Sequence, residues 1–168
     1  MTIQYSQKEQ LYLEDLKSHE ELCIQKYQKY ANEAECSNLK QIFQTLAGKE
    51  QQHYDTINQL LQGQVPVMNQ SQQGQSQQQS QSMQGQSSSQ AMTGMQAQGS
   101  TNYSQNDYTI ITDMLSTEKY VSGTYDTAIF EFQDASVRQV LNHIQKEEQE
   151  HGQQLFDYMK SHGMYQVQ

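Results

Sequence analysis

The stretch Gln41–Leu60 reads QIFQTLAGKEQQHYDTINQL, and Gln139–Tyr158 reads QVLNHIQKEEQEHGQQLFDY. In the first, Leu39, Ile42, Leu46, Glu50, His53, Ile57 and Leu60 step by three and four residues. In the second, Val137, Leu141, Ile144, Glu148, His151, Leu155 and Tyr158 do the same. That spacing marks one face of a helix, not a strand. Two acidic and basic groups sit inside each apolar stripe, at Glu50 and His53 and again at Glu148 and His151. A shift of 98 residues carries one stretch onto the other without a gap.

Working outward, each stretch is preceded by another helical stripe. Leu13, Leu16, Glu20, Cys23, Tyr27, Tyr30 and Ala34 form the first; Ile111, Met114, Glu118, Val121, Tyr125, Ala128 and Phe132 form its counterpart. The same shift pairs Asp15 with Asp113, Glu20 with Glu118 and Tyr27 with Tyr125, so the whole flank is repeated and a pseudo-twofold axis is expected. Ser6 before Glu9 and Ser104 before Asp107 read as capping boxes. Asn38 before Gln41 and Ser136 before Gln139 read as the openings of the other two helices. Helices are expected near 7–34, 38–62, 105–133 and 136–162. Long helices joined by short turns lie antiparallel, which gives two hairpins, over residues 1–62 and 104–168, packed into one bundle.

Between the hairpins, residues 63–103 are rich in Gln, Ser, Gly and Met and contain the single proline, Pro66. Such a composition cannot bury enough apolar surface to offset its ordering entropy, so it reads as a flexible linker. A linker of this length spans a ~40 Å bundle even as a coil, and the second and third helices are expected to run parallel.

Composition excludes several classes. The net charge of −9, with no basic cluster, disfavours nucleic acid and anionic membrane partners. No apolar run reaches the ~18 residues of a membrane span. Met1–Gln10 lacks the charged start and apolar core of a signal peptide, so synthesis in a cytoplasm is expected. Cys23 and Cys36 are too few for a disulfide framework; Cys23 reads as an inert core residue. No Cys-x-x-Cys pair occurs, which argues against an attached rubredoxin-type domain.

The chemistry lies in the stripe. Glu50-Gln-Gln-His53 and Glu148-Gln-Glu-His151 are both Glu-x-x-His, and residues i and i+3 share a helix face. Glu20 and Glu118 each lie 30 residues upstream on the partner helix. One glutamate from each of two helices plus Glu-x-x-His from each of the other two is the ligand set of di-iron and di-manganese carboxylate bundles. Glu20, Glu50, His53, Glu118, Glu148 and His151 are therefore candidate ligands for two iron or manganese ions. Hard carboxylates with one imidazole per ion suit those metals better than zinc. The competing reading is a metal-free polar core of Glu and His. Glu21, Glu147 and Glu150 lie off the stripe and read as solvated. Tyr27 and Tyr125 read as core tyrosines, with a hydrogen bond to a ligating carboxylate as an additional role. Gly152, where the first repeat has Tyr54, reads either as close helix packing or as an opening beside one metal. His19, His143 and His162 have no counterpart in the repeat and read as surface residues.

The run Leu46-Ala-Gly-Lys-Glu-Gln-Gln-His-Tyr54, its counterpart Ile144-Gln-Lys-Glu-Glu-Gln-Glu-His151, and Thr117-Glu118-Lys119-Tyr120 resemble the coat F family of spore coat proteins. The resemblance covers both flanks and is stronger in the second. It implies a ferritin-like bundle, in agreement with the all-α antiparallel four-helix bundle of two pseudo-repeated hairpins read from the spacing; the long Gln-, Ser- and Met-rich crossover departs from the family and reads as an insertion particular to this chain. It also implies synthesis in the mother cell of an endospore-forming bacterium, deposition in the spore coat, and other coat proteins or further copies of the chain as partners. Eleven tyrosines and nine lysines would suit cross-linking into an insoluble layer. The ligand set supports a second function, a di-metal redox enzyme consuming peroxide or oxygen. Iron or manganese storage is a third, and it would need a closed shell.

One prediction rests on composition alone. Deleting residues 67–98 should leave the thermal midpoint within a few degrees of the parent, because loop-closure entropy changes slowly with loop length. A large drop in a calorimetric scan would show that the segment packs on the bundle.

Overall fold

The computed structural model describes residues 3–67 and 103–165. Four helices account for most of them: α1 (Gln7–Glu33), α2 (Ser37–Leu61), α3 (Gln105–Ile129) and α4 (Ala135–Ser161). The expectation of an all-α four-helix bundle is borne out, and no strand occurs among the described residues. The Gln-rich stretch that reads as a linker lies almost wholly outside them.

Cross-helix contacts give the topology. Tyr27 of α1 meets Glu118 of α3, and Tyr125 of α3 meets Glu20 of α1. At one end Lys8 pairs with Glu131; at the other Asn106 reaches the Glu33 carbonyl. Helices α1 and α3 therefore run antiparallel. Since α1 is also antiparallel to α2 across their short turn, α2 and α3 run parallel, as expected. His53 against Glu148 and His151 against Glu50 set α2 antiparallel to α4.

The stripes face inward as their spacing dictates. Leu13, Leu16, Leu39, Ile57, Leu60, Ile111, Met114, Val137, Leu141 and Leu155 are all fully buried. One expectation shifts by a residue: Phe43, not Ile42, is the fully buried member of α2, and its ring lies 5.7 Å from that of Tyr27. Ile42 is only partly buried against the cluster. The larger ring packs on Tyr27 and on Tyr30, at 6.3 Å, across the α1–α2 interface.

The ends of the helices hold the two hairpins together. Ser6 and Glu9 form the full capping box, with Ser6 N–H donating to Glu9 Oε2 (2.8 Å) and Glu9 N–H donating to Ser6 Oγ (3.3 Å). The free oxygen, Glu9 Oε1, accepts from Gln133 N–H in the opposite turn (2.9 Å). Ser104 caps α3 but the expected box is only half made. Asp107 turns away and accepts from Glu35 N–H (2.8 Å) and Cys36 N–H (2.9 Å) in the turn between α1 and α2. Glu9 and Asp107 are equivalent in the repeat, and so are Glu35 and Gln133. Each half thus latches the other's turn.

These latches correct two expected starts. Helix α2 opens at Ser37 with Cys36 as a cap that makes no side-chain bond, not at Asn38, because Asp107 already ties the Glu35 and Cys36 N–H groups. Helix α4 is capped by Asp134, which accepts from Ser136 N–H (2.8 Å) and Val137 N–H (3.1 Å), so Ser136 lies inside the helix. Helix α3 stops at Ile129, short of 133, where Glu131 N–H bonds back to Ala128 in a tightened last turn.

Asp107 is buried, and truncating it leaves two backbone donors without their charged acceptor. Asp107→Ala should lower unfolding free energy by on the order of 2–4 kcal/mol in urea titrations. Glu150→Ala on the exposed face of α4 should stay within about 0.5 kcal/mol of the parent.

Candidate metal centre

Glu20, Glu50, Glu118 and Glu148 come from the middle turns of four different helices, and all are at most 1% exposed. His53 and His151 are 2% and 3% exposed. The structure brings all six together in two overlapping sets. Glu20, Glu50, His53 and Glu148 each offer a ligand atom within 4.8 Å of the others, as do Glu50, Glu118, Glu148 and His151. Glu50 and Glu148 belong to both sets. Residues three apart on α2 and on α4 supply Glu and His to one face. Antiparallel pairing of each helix with its partner brings Glu20 to the height of Glu50 and Glu118 to that of Glu148.

The hydrogen bonds obey the pseudo-twofold. His53 Nδ1 lies 2.9 Å from Glu148 Oε1, and His151 Nδ1 lies 2.8 Å from Glu50 Oε1. The imidazoles stack at 5.4 Å between centroids. Tyr27 donates to Glu118 and Tyr125 to Glu20. Both tyrosines are fully buried, so they are core residues and carboxylate donors at once, each serving the glutamate of the opposite hairpin.

One oxygen of each glutamate is left over. Glu20 Oε2, Glu50 Oε2, Glu118 Oε2 and Glu148 Oε2 are buried and make no hydrogen bond among the described residues, although His53 Nδ1, bonded to Glu148, lies 3.3 Å from Glu50 Oε2. A buried polar atom without a partner is costly, and four at one point are far outside the norm for a folded core. Burial pushes all four carboxyls up: Glu20 to about 7, Glu118 well above the usual carboxylate range, Glu50 and Glu148 in the same direction. Mutual repulsion among the carboxylates adds to this. The donor set fits two hard divalent cations, since each set supplies carboxylate oxygens, one imidazole nitrogen and unpaired lone pairs.

Glu147 corrects the sequence reading. It lies off the stripe, yet its Oε2 is 3.0 Å from His53 Nε2, and its side chain is 26% exposed. The bond from His53 outweighs its partial burial and holds its carboxyl down at about 2. Burial alone would lower the His53 pKa; its carboxylate neighbours, Glu147 foremost, raise it well above normal. His151 has no such partner, because the equivalent of Glu147 is Lys49, and burial lowers its pKa. The register could have exposed this: if His53 faces Glu148, its outer nitrogen points along α4 toward the neighbouring residue. His143 joins the same rim, with Nε2 3.3 Å from Glu147. Glu150 behaves as expected, exposed and 3.6 Å from Lys146.

Beside the second set opens a cavity of about 390 Å³. Buried Leu115, Glu118 and Glu148 form its inner wall, Gly152 its side, and Phe156 and Tyr165 part of its outer rim.

An all-α bundle whose centre is a symmetric Glu–His cluster defines the class; comparison with known proteins adds a match over its second hairpin. Residues 106–168 match the model of the Coat F domain. It is similar to the "Uncharacterized protein YusN" of Bacillus subtilis (strain 168), with 35% identity over 68 residues, or 40% of this chain. The chain spans 62% of the length of that relative. No solved structure matches it. Among the described residues, no helix is long and apolar enough to cross a membrane.

The raised carboxyls give a pH signature in metal-free protein. A carboxyl whose pKa is higher folded than unfolded stabilises below the unfolded pKa, and that stability is lost as pH rises through the folded one. For Glu20 the window runs from about 4.5 to about 7. In chelator-treated protein, Glu20→Gln should raise stability relative to the parent at pH 8 by on the order of 2–3 kcal/mol and make little difference at pH 4. Thermal scans at the two pH values check the difference.

Proposed function

We propose that this chain is a protein of the spore coat whose ferritin-like bundle holds two iron or manganese ions. The observation that carries the metal reading is the set of four buried carboxylate oxygens, one per helix, without a hydrogen-bond partner. The Coat F domain supports the location, with synthesis in the mother cell and assembly among other coat proteins.

In this reading Glu20 and His53 hold one ion, Glu118 and His151 the other, and Glu50 and Glu148, common to both sets, serve both. Four carboxylates and two neutral imidazoles balance two divalent cations. Glu147 keeps the His53 ring oriented through Nε2, leaving Nδ1 for the ion; such outer carboxylates raise the basicity of a ligating imidazole. Tyr27 and Tyr125 fix the outer glutamates by donating to one oxygen of each and leaving the other free. Iron or manganese there would supply one-electron redox chemistry. The cavity beside Glu118 and Glu148 favours a peroxide- or oxygen-consuming activity as a second reading, compatible with residence in the coat.

The test is the metal content of protein produced with iron and manganese available. The parent should carry close to two ions per chain, and Glu50→Gln and Glu148→Gln should each lose most of both. Glu147→Ala should keep metal but bind it on the order of 10–100-fold more weakly. Metal-free parent, with Glu-to-Gln variants indistinguishable from it, would leave only the structural role. Peroxide consumption on the loaded sample then separates an enzyme from a passive site, and extraction of the protein with the coat fraction tests its location.

A further inference from the structure

The repeat makes the two ligand sets equivalent, but their surroundings differ. Beside Glu118 and Glu148 stands Gly152; beside Glu20 and Glu50 the equivalent residue is Tyr54. The Tyr54 ring lies under the Lys17 ammonium, 5.3 Å from its centroid, and Lys17 is in turn the counterpart of Leu115. At the matching place in the first half stand an aromatic ring and a cation, where the second half has Gly152 and the cavity. A Cβ placed on Gly152 would lie 3.8 Å from Leu115 Cδ1 and 3.9 Å from the Glu118 Cβ. Those are ordinary contacts, so a side chain at Gly152 would stand in the cavity without a clash at its base. Phe156 and Tyr165 frame the mouth edge-on at 5.1 Å between centroids.

We infer that the centre is entered from the Gly152 side: the cavity there leads a small ligand, of the size of peroxide or azide, toward Glu118 and Glu148. This rests on the di-metal reading above. Both glutamates line the cavity, and their free Oε2 atoms lie buried below its surface. Gly152 acts through space left open, not through a functional group, and a larger side chain there would fill the cavity without meeting the helix backbone.

The experiment uses full-length protein loaded with iron, oxidised, and mixed with azide, whose binding is followed by the charge-transfer absorption it produces. Iron content is measured on each sample. Gly152→Tyr, which copies the first half, should keep the parent's iron and slow azide binding at least tenfold. Gly152→Ala should fall between the two. Tyr165→Ala, at the mouth and away from every ligand, should keep iron and speed binding severalfold. Equal azide rates in the parent, Gly152→Tyr and Tyr165→Ala at equal iron content would overturn the Gly152 route while leaving the metal site standing. A parent without iron or manganese would overturn both.

Discussion

Four carboxylates buried within contact of one another are the constraint on which the rest of this bundle depends. In an ordinary helical bundle the middle turn is where apolar packing is densest and a charge is most costly. Here every helix contributes a glutamate to that turn, and only two imidazoles and two phenols offset them. The surrounding shell is correspondingly apolar and tightly made, with Cys23, Leu46, Val121 and Ile144 at most 1% exposed a turn away. Such a centre destabilises the metal-free fold, so the cation binding proposed above would be thermodynamically linked to folding. The latches at the bundle ends, Glu9 and Asp107, lie far from this repulsion and hold the hairpins together independently of it.

Much of this was legible in the sequence because its two governing periods are simple. Steps of three and four residues gave the helices, and the shift of 98 residues gave the symmetry, which together place Glu20, Glu50, His53 and their mates at one level. Helix starts were read less well, and for a definite reason. The capping rules are local, whereas Asp107 spends its carboxylate on Glu35 and Cys36, in a turn 71 and 72 residues away in sequence. A residue with a cap-box position and a long-range partner looks, in sequence, like any other cap.

Glu147 escaped for a related reason. Stripe membership measures whether a Cβ faces the core, but a glutamate is long enough to lie off the stripe and still reach inward across a helix interface. The same length lets Tyr27 and Tyr125 cross to the opposite hairpin. Both cases show that a polar network in a bundle is decided by the inter-helix register, which hydrophobic periodicity constrains only indirectly. Phe43 displacing Ile42 is the apolar version of the same limit, since its ring packs on Tyr27 and Tyr30 of the neighbouring helix.

The two halves differ at most positions under the 98-residue shift, and three of those differences lie beside the shared cluster. Lys49 against Glu147 distinguishes the outer partner of the two histidines, Tyr54 against Gly152 distinguishes the side walls, and Lys17 against Leu115 distinguishes the flanks. All three fall on the periphery of the six shared residues, and the six themselves match. A purely structural repeat has no reason to keep buried charge in both copies, because apolar residues of similar volume would pack there at less cost. The 98-residue shift leaves few identities between the halves, yet all six of these side chains are among them. In the di-metal reading proposed above, the half beside Gly152 would offer the approach and the other half would fix its ligands. Retention of all six against that background is what favours the reading over an inherited polar core.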